Sequence, residues 1–564
     1  MTIFSSGASL RDVFDLTFII FAFAITAVNT IFAAFMGRKF LQIFQSSGYM
    51  SLEYNKWTYR RDNVYLTRLC MVTMLSVLAY MIFSAAFSFV VRDWVVCLGF
   101  VFYLIFSIVY ITADLKRKSK ARLVFTSRLI RLMVTFLILY FLLTLLLIAS
   151  LQLLGFIFAE NELFVIVRFA FVCILPITIP VLVSFAGFIN SPFERWRNKK
   201  YITRCKKTLE EADGLIKIAI TGSYGKTSVK KILKTILGTK YKVLATPASY
   251  NTPMGICKCV NGYDGTHDVF IAEMGARRVG NIKELCDIVK PDYAIISSVN
   301  NQHLETFGTK DAIAKTKYEL IEGLRDGGVA VFSADNLTTA QMSLRARERK
   351  GIKTVLAGND LTINPDVYAT DLKITPTGSD FTLNFGDKSV KASTQLIGRH
   401  NVSNICLAAA IAYELGLSPE EISMGISLIK PISHRLEVIK NDKNVTIIDD
   451  SYNSNVDGTV AALEVFSIFE GRKIIITPGL VELGHMEHVE NFRFGRRMAP
   501  IVDYAILVGN QNCYRIRDGL LEEGFDLNKI IIAKDLADGI KKLNEISKEG
   551  DVILFENDLP DKFL

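Results

Sequence analysis

Lys217-Ile-Ala-Ile-Thr-Gly-Ser-Tyr-Gly-Lys-Thr-Ser228 is the stretch from which the rest of the chain is read. An apolar, β-rich run leads into a turn of small residues, then Gly225-Lys226-Thr227, then a lysine-rich helical pattern through Leu237. The order is strand, loop, helix. A helix start leaves unpaired N–H groups and the positive end of a dipole facing the loop. Glycines let the backbone come close to an anion. Gly222, Ser223, Tyr224, Gly225, Lys226, Thr227 and Ser228 therefore read as a cradle for nucleotide phosphates. Lys226 supplies a point charge to the β- and γ-phosphates, and the Thr227 hydroxyl a ligand for magnesium. The longer loop of this kind has a glycine where Ile220 stands, so the turn here is the shorter Gly-x-x-Gly-Lys-Thr.

Upstream the composition changes. Half of the 564 residues are hydrophobic and the mean hydropathy is +0.31, but the apolar excess is concentrated before residue 190. Five uncharged stretches, about 16–36, 69–91, 94–113, 132–159 and 169–189, are each long enough to cross a hydrocarbon core of ~30 Å as a helix. The first has no basic leader, since Arg11 stands against Asp12 and Asp15, and it reads as a permanent span rather than a cleaved signal.

Charge orients these spans. The connections 37–68, 113–131 and 190–207 carry 20 Lys and Arg against Glu53, Asp62, Asp114 and Glu194. The alternate connections, Arg92-Asp93 and Glu160-Asn-Glu162, are short and not basic. By the positive-inside rule the chain is a multi-pass membrane protein with its N-terminus outside and its C-terminal region cytoplasmic. Those basic connections sum to +16 of a net +9, leaving −7 for the remainder. The basic balance thus belongs to the membrane surface and gives no reason to expect nucleic acid. Arg168 stands where it can snorkel to the interface. The spans hold no carboxylate or histidine that would mark an ion pathway. Cys257-Lys-Cys259 is too closely spaced for a zinc pair, and no second pair follows.

Downstream, strands and helices alternate. Lys217–Thr221, Val269–Ala272, Tyr293–Ser298 and Val329–Ser333 are strands of a parallel, doubly wound sheet, entered through a short linker at 208–214. Asp371–Thr375 and Asp380–Phe385 alternate and read as an appended antiparallel patch, followed by a helix over Asn404–Leu415. Beyond Pro431, Val445–Asp449, Lys473–Thr477, Tyr504–Val508 and Val552–Phe555 form a second α/β domain. The fold class is multi-domain: a five-helix transmembrane region (1–207), a phosphate-loop ATPase-like central domain (208–431) and a Rossmann-like C-terminal domain (432–564).

Further clusters fall at strand ends or helix starts, where open α/β sheets bind ligands. They are Glu273-Met-Gly275, His303-Leu-Glu305, Lys315-Thr-Lys-Tyr-Glu319, His400-Asn-Val-Ser-Asn404, His434-Arg-Leu-Glu437 and Asp449-Asp-Ser-Tyr-Asn-Ser-Asn455. In this order, with the phosphate loop, they resemble the Mur ligase family, and within it the branch that adds D-alanyl-D-alanine. The resemblance covers about residues 215–510.

It implies an ADP-forming acid–amino-acid ligase that uses ATP and two magnesium ions. A carboxylate is activated as an acyl phosphate and then attacked by an amine. The resemblance assigns Lys226 and Thr227 to the γ-phosphate and a first magnesium ion, and Glu273 and His303 to metal ligation. A carbamylated lysine, a further metal ligand, falls at Lys317, with Lys315 the alternative. Asn401 and Asn404 take the adenine side, Arg435 reaches ATP from the domain junction, and Asp450 meets the ribose. The catalytic set is Lys226, His303, Lys317 and Arg435. His485 and His488 could share a helix face, but Glu482 and Glu487 are expected to satisfy them by hydrogen bonding.

Family ligases carry a soluble N-terminal domain for the uridine-diphosphate sugar, whereas residues 1–207 here read as spans and basic connections. The C-terminal stretch Glu556–Leu564 also departs from the pattern. The expected partners are an amino acid or dipeptide, a carboxylate acceptor for which a lipid-linked form is open, the membrane, and other cell-envelope enzymes. Two other readings stay open: a membrane-bound amino-acid polymerising ligase of the polyglutamate-synthase kind, and a nucleotide-binding membrane regulator without turnover.

Overall fold

The computed structural model describes residues 16–60, 63–87, 92–116, 123–157, 170–349, 351–440, 444–452, 455–509 and 511–557. Arg11, Asp12, Asp15, Glu160–Glu162, Arg168, Asn453, Ser454 and the C-terminal residues after Asn557 lie outside the described residues, as do Asp62 and part of the second basic connection. The chain divides into two units, one ending at Arg197 and one beginning at Asn198.

In the first unit, four helices among the described residues are long and apolar enough to cross a membrane: Leu16–Met36, Val64–Phe83, Ser127–Leu154 and Ala170–Glu210. The segment expected as a span over 94–113 lies in helix Arg92–Leu115, of which Val101–Leu115 is a shorter apolar stretch. Arg92-Asp93 therefore starts a helix instead of forming a connection. The helices over the expected second and fourth spans begin about five residues earlier than charge suggested, because Arg68, Arg128 and Arg131 are good helix formers and extend the apolar runs. The last span is broken by a 3-10 turn at Leu175–Thr178 and resumes as helix Ile179–Glu210. Pro176 and Pro180 lack the N–H a continuous helix would need there.

The first basic connection, expected as a loop, contains helices Arg38–Ser46 and Ser51–Thr58. Phe40, Leu41, Ile43 and Phe44 are buried; Phe44 meets Tyr49 and Tyr54 edge-on at 5.8 and 5.1 Å. The Tyr54 hydroxyl donates to the Pro180 carbonyl at 3.0 Å. Near the basic ends of the helices, buried Glu194 accepts from Arg131 Nε and Nη2 at 2.8 and 2.5 Å and from Arg197 Nη2 at 2.7 Å. Arg128 stands 3.9 Å from the same carboxylate.

The second unit holds two sheets. The first has nine strands: β1 (Ile216–Thr221), β2 (Val243–Ala245), β3 (Val269–Glu273), β4 (Tyr293–Ile296), β5 (Val329–Ser333), β6 (Lys353–Gly358), β7 (Val367–Thr375), β8 (Gly378–Phe385) and β9 (Lys388–Thr394). Their order is β2-β3-β1-β4-β5-β6-β7-β8-β9. Neighbours from β2 to β7 are parallel, and β7-β8-β9 are antiparallel, which is the appended patch. Period-two alternation sends Ile218 and Ile220 into one apolar layer with helices Lys226–Leu237 and Arg399–Glu414. Ala219 faces the other layer, with Phe270, Leu285, Leu320 and Phe332. Helix Ile179–Glu210 overruns the expected linker, and Cys205 and Leu209 join this second layer. The helix expected from Asn404 begins at Arg399.

The second sheet runs β10-β11-β15-β12-β13-β14, with β10 (Glu437–Lys440), β11 (Thr446–Asp450), β12 (Lys473–Thr477), β13 (Tyr504–Val508), β14 (Ile530–Ala533) and β15 (Val552–Glu556). Only the β10–β11 pair is antiparallel. Phe466 and Phe494 pack on one face of this sheet, and Leu543 on the other. Both sheets are buried on both faces, as parallel sheets require.

Candidate functional site

The site forms where β1, β3 and β4 end. β1 delivers Gly222, with φ of 151°, and a Cβ there would lie 2.1 Å from Ser297 Oγ. Gly225 has φ of 83°, and its Cβ would lie 2.6 Å from Asn404 Oδ1. Only glycine gives the loop this conformation and this closeness. Ser298 holds the turn: its carbonyl accepts from Ser223 N–H at 2.8 Å and its hydroxyl accepts from Tyr224 N–H at 2.7 Å.

Lys226 opens helix Lys226–Leu237 and bends back over the loop, its ammonium donating to the Gly222 and Ser223 carbonyls at 2.6 and 3.4 Å. Loss of hydration pushes its pKa down to about 8, with Glu273 acting against the shift and Arg435 adding to it. Thr227 donates to Glu273 Oε2 at 3.0 Å. Lys230, one turn on, pairs with the same oxygen at 2.8 Å, and Asn251 Nδ2 donates to Oε1 at 3.1 Å. Burial opposes the Glu273 charge, but Lys230, Lys226 and Thr227 outweigh it and hold the carboxyl below its usual range.

His303 caps the short helix Leu304–Phe307 with φ of 62°. Its Nδ1 lies 2.5 Å from Glu482 Oε2, after β12. Burial, with Arg277 and Lys226 nearby, lowers its pKa despite Glu482. A carboxylate only accepts, so the neutral ring keeps its proton on Nδ1 and offers a lone pair at Nε2. Asn300 Nδ2 also bridges the two sheets, donating to Asp457 at 2.7 Å and Asn455 at 3.4 Å.

On helix Lys310–Glu322, Lys317 is buried and Lys315 exposed. Burial, then the charge of Lys226, drives the Lys317 pKa well below the usual lysine value. No hydrogen bond or ion pair reaches its ammonium among the described residues. Glu319 serves the fold, accepting from Gly280 and Lys283 N–H at 2.7 and 2.9 Å.

Beside the loop lies a cleft of about 480 Å³, lined by Tyr224, Asn336, His400, Asn404 and Asp457 among others. Burial lowers the His400 pKa to about 4, and its buried Nδ1 has no partner. Asn401 is not in this lining; its amide donates to the Ile397 carbonyl at 2.9 Å. Arg435 lies over the Tyr452 ring at 4.6 Å. Asp450 is buried and bonded to Glu556, which requires a proton on the pair; burial raises the Asp450 pKa to about 6, with Arg435 opposing.

The structure thus gathers Lys226, Thr227, Glu273, His303, Lys317 and Arg435 around the loop, with Tyr224 and Asn404 in the adjoining cleft and Ser228 buried in the first helical turn. Lys230, Asn251 and Ser298 escaped the sequence reading, and Glu482 was read only as a partner of His485 and His488. Lys230 alone carried a signal, its i+4 spacing from Lys226 on one helix face. Glu482 lies against His303, and Glu487 accepts from Asn512 at 2.9 Å. Among the described residues no group of three metal-ligating side chains stands ready. The donors still suit a metal bound with phosphate: a hydroxyl and a carboxylate in contact, and an imidazole with a free lone pair. The Lys226 ammonium, without a hydrogen-bonding carboxylate and at glycines that leave no room for a Cβ, suits a polyphosphate.

The family model described as Mur ligase middle domain matches residues 220–412, and that described as Mur ligase, glutamate ligase domain, matches 434–556. The UDP-N-acetylmuramoyl-tripeptide–D-alanyl-D-alanine ligase of Bacillus subtilis (strain 168) is 28% identical over 344 residues, 60% of this chain and 72% of that protein. The protein of the same name from Mycobacterium leprae (strain TN) is 31% identical over 370 residues, 61% of this chain and 71% of its own. Among solved structures, the MurF ligase of Thermotoga maritima in complex with ADP matches with a TM-score of 0.56 and 25% identity, over 64% of this chain and 80% of that one.

Proposed function

The chain belongs to the Mur ligase family, and from that premise we propose that it is an ADP-forming ligase. It joins a carboxylate to the amine of an amino acid or dipeptide in making a peptidoglycan-type envelope precursor. The observation that carries this reading is Lys226, held over the phosphate loop with no carboxylate hydrogen-bonded to its ammonium, beside the buried amine of Lys317.

Lys226 and the loop N–H groups hold the transferring phosphate, and Arg435 adds charge from the other side. Thr227, Glu273, His303 and Lys317, the last as its carbamate, would hold magnesium, which would neutralise charge developing on phosphate oxygens. The depressed pKa of Lys317 favours the neutral amine that can take up carbon dioxide. Tyr224 and Asn404 line the place for the nucleoside, and Asp450 is taken as the ribose-side acid. In the first step an acceptor carboxylate oxygen bonds the γ-phosphorus and ADP leaves. In the second the amine bonds the acyl carbon, losing a proton, and phosphate leaves.

The central and C-terminal domains are taken as 208–431 and 432–564, following a membrane region of five spans that includes the stretch at 94–113. Its outside N-terminus and cytoplasmic catalytic region follow from the basic connections. The relatives' names supply the first substrates to try, a UDP-muramoyl-tripeptide with D-alanyl-D-alanine; the spans motivate a lipid-linked acceptor as the second. The test is ADP release and product mass with each acceptor. Amide product with either one, lost in K226A, supports ligation; a ladder of chain lengths from free amino acid favours the polymerising reading. ATP binding without ADP release under every pair would sink the proposal in favour of a regulator.

A further inference from the structure

The membrane unit holds a charge cluster that the ligase chemistry does not use. Glu194 is 3% exposed and follows the apolar part of helix Ile179–Glu210. Arg128 and Arg131 lie in the first two turns of helix Ser127–Ile157, and the apolar span follows them. Both helices bring their charges to the same end of an apolar span, the level of lipid headgroups.

Arg128, Arg131 and Arg197 carry three positive charges against one carboxylate. A cluster that only holds helices together is most stable near neutrality, because each unmatched charge in dehydrated surroundings is unfavourable. This one keeps a surplus of two. The arginine side chains remain 28–33% exposed, and Arg197 Nε is buried without a partner. Their planes are fixed by rings: Arg128 lies 3.9 Å over Tyr49 and Arg131 5.3 Å over Phe193. Planar, pre-oriented forks with spare N–H groups match phosphate oxygens. On the same stretch of helix, Phe188, Phe193 and Trp196 are 68%, 47% and 62% exposed, an apolar surface beside the charge.

We propose that Arg128, Arg131 and Arg197 form a receptor for the diphosphate headgroup of a membrane lipid, with Glu194 balancing one of the three charges. A lipid diphosphate carries at least two negative charges and covers the surplus of two, whereas the single charge of a phosphodiester lipid leaves one uncompensated. The exposed aromatic side chains favour a lipid over a free phosphate. The proposal deepens the ligase reading by naming the anchor of a lipid-linked acceptor, and it rests on that reading for the link to catalysis alone.

The experiment measures binding of farnesyl diphosphate to the full chain in phosphatidylcholine nanodiscs, with ADP and magnesium in excess to fill the phosphate loop. Farnesyl diphosphate is expected to bind and raise the unfolding temperature. R131Q and R197Q should each weaken it roughly tenfold, and R131K less, because it keeps charge but loses the fork. E194Q keeps all three arginines and should bind at least as tightly, which separates a receptor from a structural ion cluster. K226A should lose ADP release yet bind normally, so failure of the ligase reading and failure of this one are told apart. Equal binding of inorganic pyrophosphate, equal competition by phosphatidylglycerol, or unchanged affinity in both R131Q and R197Q would each overturn the proposal.

Discussion

Lys226 links the electrostatics of the loop to nucleotide affinity. With its pKa lowered from 10.5 to about 8, the folded chain sheds a proton between those values that the unfolded chain keeps. That contribution therefore raises stability as pH climbs from 8 to 10.5, and below 8 the penalty is fully present. A bound polyphosphate favours the ammonium, so binding should take up protons near pH 8 and weaken as pH rises above it. Calorimetry in buffers of different ionisation heat checks this; K226M should abolish the uptake. Glu482 acts through His303 as a positioning residue. E482A should lower kcat by roughly 10–100-fold and raise the magnesium needed for half activity, with E482Q retaining more of both; a merely structural role would move the unfolding temperature and leave the magnesium dependence alone. Lys226, Thr227, Glu273 and His303 were legible because each sits in a short motif at a strand end. Glu482 was not, because it meets His303 across 179 positions of chain, and nothing local to Val481-Glu482-Leu483 marks it. Asn401 resembled a ligand contact by motif alone; its amide is engaged by its own helix start.

At the scale of elements, the phosphate loop is the least tolerant segment. Gly225→Ala places a side chain at φ of 83° and against Asn404. The left-handed conformation alone should cost about 1–2 kcal/mol, measured by denaturant unfolding. N404A on that background should relieve the contact with the new side chain and none of the φ strain. Parallel strands were read because they are nearly continuous runs such as Ile474-Ile-Ile476. β2 has only three residues, and β9 reads Lys-Ser-Val-Lys-Ala-Ser-Thr, too polar to resemble a strand; both lie at sheet edges, where one side of pairing is absent. Charge located the basic connections but hid helix Arg38–Ser46, whose apolar residues at 40, 41, 43 and 44 carry the helical period.

For the whole molecule, the helices of the first unit predict its partition. If they span, the chain should stay with membranes after a wash at ~1 M salt, where the Debye length is about 3 Å and surface attraction is screened. Only detergent should release it. Release by salt alone would mean that the basic segments, not the apolar helices, hold it there. The alternation of strand and helix and the new start after Pro431 pointed to two α/β domains. The bridge between their sheets through Asn300, Asp457, His303 and Glu482 was not readable, because it depends on tertiary geometry.

The sheet edges have a further consequence if the apolar helices hold the chain in a membrane. Proteins confined to a surface meet one another at raised effective concentration, and open strand edges then invite pairing between copies. β9 ends its sheet with Lys388 and Lys391 and is packed by helix Pro419–Ser427, where Ser423 donates to the Lys391 carbonyl at 2.7 Å. The opposite edge is the three-residue β2, and the second sheet ends in the four-residue β10 and β14. Short, charged or covered borders of this kind would let many copies share a crowded bilayer without zipping into sheets.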